Sequence, residues 1–125
     1  MTSEQRPDIA GYEVMKTLAR EQLSAGLSAL IDAVNPFSFV RSAYQQIAAD
    51  FDSPYLFIAT TCTDRALHCR RAEERHASGL KKITWAGVEH QMAYYEPFTG
   101  EALTLDAGNS LHQNIAAAVS HVRSH

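Results

Sequence analysis

Only two cysteines, Cys62 and Cys69, occur among 125 residues, too few for a disulfide framework. No run of about 18 apolar residues is present either, so no segment is expected to span a membrane. The opening residues, MTSEQRPDIAGYE, are polar and lack the apolar stretch of a secretory signal. These absences point to a soluble protein in a reducing, cytoplasmic setting. A positive excess is also missing: the net charge is −3, which argues against nucleic acid as the partner. There is no GxSxG, Walker or GxGxxG pattern to suggest a nucleophile elbow, a phosphate loop or a dinucleotide site.

What the chain does have is ordinary globular material. A hydrophobic fraction of 46% with 20% charged residues supplies one core, so neither a metal nor a disulfide is needed as a staple. The expected organisation is a flexible arm over 1–7 followed by a single domain over 8–125.

Hydrophobic periodicity assigns the elements. From residue 8 to 34 the apolar positions are Ile9, Tyr12, Met15, Leu18, Ala19, Leu23, Leu27, Leu30, Ile31 and Val34. Steps of three and four dominate, the pattern of an amphipathic helix with a kink expected at Gly26. Asn35-Pro36 reads as the boundary to a second helix that runs to Phe51 with Phe37, Val40, Tyr44, Ile47 and Phe51 on one face. YLFIATT, residues 55–61, reads as a buried strand. Thr63 or Asp64 caps a third helix, and Gly79 ends it.

Beyond Gly79 the alternation of Ile83 with Trp85, of Val88, His90, Met92 and Tyr94, and of Leu103 with Leu105 predicts three short strands. Ala86-Gly87 and Pro97–Gly100 serve as their turns. Asn109 or Ser110 caps a last helix carrying Leu111, Ile115, Val119 and Val122. The expected fold is therefore α+β in the order ααβαβββα, with a small, mostly antiparallel sheet packed by helices.

The chemistry is sparse. His68-Cys69, five residues and Arg75 trace the outline of a cysteine phosphatase loop. Ala72 stands where that loop wants glycine, His76 where it wants Ser or Thr, and the run from Arg70 to Arg75 favours helix, whose N–H groups are already bonded. Cys62, His68, Cys69 and His76 lack the spacing of a zinc site, because adjacent His68 and Cys69 point about 100° apart on a helix. No catalytic residue, cofactor or metal is expected from these patterns.

Charge is the more informative feature. Residues 61–85 hold six bases against three acids, while residues 1–60 hold four bases and seven acids and residues 86–125 one base and four acids. The bases are Arg65, Arg70, Arg71, Arg75, Lys81 and Lys82. With Tyr95 and Phe98, aromatic anchors of the kind interfaces favour, they form the expected surface for an acidic protein partner. The expected function is a non-enzymatic protein-binding module, such as an immunity or inhibitor protein that covers its partner. The alternative is a small enzyme or ligand-binding protein that takes a phosphate-bearing substrate on the 65–82 segment and has a depressed Cys69 pKa. Homodimerisation through the long first helix, about 39 Å if unbroken, is a further expectation.

Overall fold

The computed structural model describes residues 9–125, so the arm expected over 1–7 lies outside it. Among the described residues there are five helices and two strands. They are α1 (Ile9–Ser24), α2 (Ser38–Asp50), β1 (Ile58–Thr61), α3 (Arg65–Ala77), α4 (Trp85–Ala93), β2 (Leu103–Asp106) and α5 (Leu111–Arg123). The chain clusters into two compact units, one of residues up to 55 together with 95–98, the other of 56–94 together with 99–125.

In the first unit α1 packs on α2. Part of the periodic face read from the sequence is buried, namely Phe37, Val40, Tyr44 and Ile47 of α2 and its cap with Ala19 of α1, joined by Ala48. Leu18, Leu27, Leu30, Val34 and Phe51 of the faces as read are exposed. Tyr44 donates to the Met15 sulfur at 3.8 Å, and Arg20 pairs with Asp50 at 3.0 Å across the two helices. α1 is shorter than its apolar periodicity suggests. Gly26 adopts φ +78°, and its N–H bonds the Leu23 carbonyl while Leu27 N–H bonds that of Gln22, a Schellman termination rather than a kink. Residues 27–34 form no regular element. The continuous length on which dimerisation through this helix rests is therefore absent.

The same termination recurs. Gly79 at φ +79° ends α3, with Gly79 and Leu80 N–H bonded to the His76 and Arg75 carbonyls. Asp52 at φ +51° ends α2, with Asp52 and Ser53 N–H bonded to Ala49 and Ala48. At the start of α2 the Asn-Pro boundary is corrected. Asn35 sits at φ +46°, and the N-cap is Phe37, which offers no side-chain acceptor.

In the second unit the mostly antiparallel sheet gives way to a two-stranded parallel one. β1 pairs with β2 in the register Ile58↔Leu103 to Thr61↔Asp106. Parallel strands need a long crossover, and α3 with α4 supplies it. The two strands expected over 83–94 are one helix, α4. Trp85, Val88 and Met92 are spaced for a helix as well as for alternation, and Thr84 accepts from Gly87 N–H at 3.3 Å to cap it. Gly87 is thus in a first helical turn rather than in a hairpin. A Cβ there would meet Ile83 at 2.7 Å, so the glycine permits that close approach. The caps read at Asp64 and Ser110 are present, the latter as a capping box with Gln113. Ala72 is the buried apolar residue of this unit.

Candidate partner-binding surface

The six bases lie in the second unit, four of them on α3, and they do not form a single stripe. Arg65, in the first turn, forms an ion pair with Glu89 of α4, and its guanidinium lies 5.5 Å from the Trp85 ring centroid. His68 meets the same ring edge-on at 4.9 Å. Arg65 thus fastens α3 to α4. Arg71 and Arg75, one turn apart, share a side of the helix, and Arg75 Nε donates to the Arg71 carbonyl at 3.4 Å. Arg71 also donates to the Ala107 carbonyl at 2.7 Å, just past β2. Arg70 points about 100° away from Arg71. Lys81 and Lys82 follow the Gly79 termination, and these five side chains are exposed. Ala72, with half-buried Leu67, His68 and Cys69, forms the docked side, a thin one.

The surroundings of Cys69 disfavour its thiolate. Burial pushes its thiol pKa up, and the Glu73 carboxylate, with a smaller effect from Glu89, pushes it further; Arg65 only partly opposes this. A thiolate nucleophile needs the opposite shift. Cys62 and Cys69 are both free, and among the described residues no group of three or more His, Cys, Asp or Glu side chains is placed to hold a metal.

β1 and β2 both run into helix N-termini at their carboxyl ends, the edge where parallel sheets hold anionic ligands. Here Asp64 and Ser110 cap the two helices, and the chain's own Asp106 carboxylate takes the donors of the loops before them. Asp106 accepts from the Thr63 hydroxyl at 2.5 Å and from Gly108 N–H at 2.9 Å. These bonds, Thr63 first, hold its pKa below the usual aspartate value. Asn114 of α5 bonds the Asp106 carbonyl at 2.9 Å and ties the helix to the strand.

Tyr95 and Phe98 belong to the first unit and have a different setting. Arg41, only 2% exposed, sends its guanidinium to the Glu96 carbonyl at 2.5 Å and lies 5.4 Å and 5.7 Å from the Tyr95 and Phe98 ring centroids. The Glu96 side chain accepts from Ser38 N–H at 3.1 Å, which gives α2 the cap that Phe37 does not provide. Ser38, through its side chain first and its N–H second, holds the Glu96 carboxyl below the usual glutamate value, helped by nearby Arg41. Residues 95–98 are thus clamped onto α2 by a buried cation. Sequence reasoning missed Arg41. Its one signal is position: four residues after Phe37, three before Tyr44 and seven before Ala48, within the apolar face.

A second feature emerges on α5. Its half-buried residues are the small or polar Asn114, Ala117, Ala118 and His121. Leu111, Ile115, Val119 and Val122 are 75%, 54%, 41% and 55% exposed. The residues read as a packing face are the ones turned outward.

Among the described residues no helix is long and apolar enough to cross a membrane. Comparison with protein-family models, curated proteins and solved structures returns no match, so a functional reading rests on this chain's own residues.

Proposed function

We propose that this chain is a non-enzymatic protein-binding module whose α3 side engages an acidic partner, in the manner of an immunity or inhibitor protein that works by coverage. The observation carrying the reading is the exposed set Arg70, Arg71, Arg75, Lys81 and Lys82 from the middle of α3 to its following turn. Arg75, in the last turn, also complements the negative end of the helix dipole. Arg71 and Arg75 are partly ordered by carbonyl contacts, which lowers the entropy lost when they meet carboxylates. A reducing cytoplasm fits the two free thiols. The phosphate-substrate alternative has less support, because the Cys69 thiol is shifted away from reactivity and Asp106 occupies the donors at the strand ends.

The test is affinity capture with the intact chain, followed by association kinetics between the captured protein and purified Arg71→Glu/Arg75→Glu. The expected result is an association rate at least about tenfold slower, with a weaker salt dependence and little change in dissociation. An unchanged rate contradicts the reading.

A further inference from the structure

We infer that the outward face of α5 is a self-association surface that pairs antiparallel with α5 of a second copy of this chain. At about 100° per residue, Leu111, Val122, Ile115 and Val119 fall within an arc of about 80°. They form one continuous apolar stripe along the helix, beside the face that Ala117 and Ala118 turn toward the sheet. An ordinary surface helix does the reverse, burying its large residues and exposing its small ones. The second unit gains little from its own core, since its buried apolar residue is an alanine.

Three observations select a second copy as the occupant. The first is spacing. The stripe residues sit at intervals of four, four and three, which nearly reads the same in both directions. A two-fold axis near residue 117 sets Leu111 against the second copy's Val122 and Ile115 against its Val119, so each patch is its own complement, as an isologous interface requires.

The second is charge. α5 carries no acid and has His121 and Arg123 in its last turn. Antiparallel pairing opposes the two helix dipoles and keeps the basic last turns apart. Parallel pairing sets Arg123 against Arg123.

The third is area. The four side chains expose roughly 400 Å² per copy, the scale of a functional patch, and roughly 800 Å² across two copies. With His112 and Arg123 on the rim, the total approaches the roughly 1,200 Å² at the low end of specific interfaces. The dimer is therefore reversible and concentration-dependent. This inference is independent of the α3 reading.

Sedimentation velocity of the intact chain from about 1 to 200 µM tests it. A monomer-to-dimer shift is expected within that range. Ile115→Glu and Val119→Glu, which change exposed residues and should keep the wild-type far-UV dichroism, each weaken dimerisation at least about tenfold. Arg71→Glu/Arg75→Glu leaves it unchanged. Mixing Leu111→Cys with Val122→Cys copies under mild oxidation should give a 111–122 linked peptide by mass spectrometry, whereas a parallel dimer links 111 to 111. A wild-type monomer at 200 µM overturns the inference, whether the stripe is bare or covered by another part of the chain. A dimer indifferent to both glutamate substitutions, or a 111–111 link, overturns it equally.

Discussion

The two compact units solve the same problem in opposite ways. The first encloses aromatic and aliphatic side chains between α1 and α2 and locks residues 95–98 onto them with buried Arg41. The second has a two-stranded sheet, marginal on its own, and buries Ala72 while leaving Leu80, Met92 and the α5 stripe in solvent. It is held largely by polar ties: Thr63 to Asp106, Arg71 to Ala107, Arg65 to Glu89 and Asn114 to the Asp106 carbonyl. Exposed ties of this kind contribute little each. Both units leave large apolar residues exposed, among them Val14, Leu18, Leu27, Leu30, Val34 and Phe39 in the first. Only the first also has an aromatic and aliphatic core of its own, so the second is the one that depends on being covered.

Substitutions sharpen or break this contrast. The largest effect is expected for Arg41→Ala, which removes a buried cation's hydrogen bond and its contact with two rings. A loss of about 3 kcal/mol is expected from urea unfolding followed by far-UV dichroism. A loss under about 1 kcal/mol would mean the clamp is ornamental. Next come Ile47→Ala and Ile115→Ala, the same chemical change in the two units. The first should cost about 2–4 kcal/mol and the second under about 0.5 kcal/mol in dilute protein. Equal costs would erase the distinction drawn here. Trp85, the sole tryptophan, lies in the second unit and reports on it. Its fluorescence should change at lower urea than the dichroism, and Ile47→Ala should bring the two transitions together.

The sequence was most legible where structure is local. Asp64, Ser110 and Gly79 announce helix ends because each acts within three or four residues. Gly26 carries the same signal, but the apolar steps at Leu27, Leu30 and Val34 continue past it and hide the termination. Over 85–93, Trp85, Val88 and Met92 fit a helix while Val88, His90 and Met92 fit alternation. The Thr84 cap and the close approach of Ile83 to Gly87 decide for helix. Parallel pairing of β1 with β2 joins residues 45 apart, and the Glu96 cap on Ser38 spans 58. Neither leaves a local trace. Of the candidate surface, the arginine cluster on α3 was readable. The commitment of Arg65 to Glu89, and of Tyr95 and Phe98 to Arg41, was not.

Smaller effects complete the comparison. Ser110→Ala removes the capping box of α5 and should cost about 1 kcal/mol, read from Trp85 fluorescence during urea unfolding. Glu96 carries a lowered pKa in the folded chain, so it stabilises above its unfolded pKa, and that contribution is lost as pH falls through the lower folded value. Glu96→Gln should therefore flatten the fall in stability between about pH 5 and pH 3. An unchanged slope would remove the charged cap from the account. Arg71→Glu/Arg75→Glu should cost least, within about 0.5 kcal/mol at each position.

Hydrogen exchange of the intact chain, followed by mass spectrometry at about 1 µM and about 200 µM, bears most directly on whether the second unit depends on being covered. The α2 peptides should be strongly and equally protected at both concentrations. The α5 peptides should be weakly protected when dilute and gain protection when concentrated. Protection of α5 that matches α2 in dilute protein, or that does not change with concentration, would contradict the account.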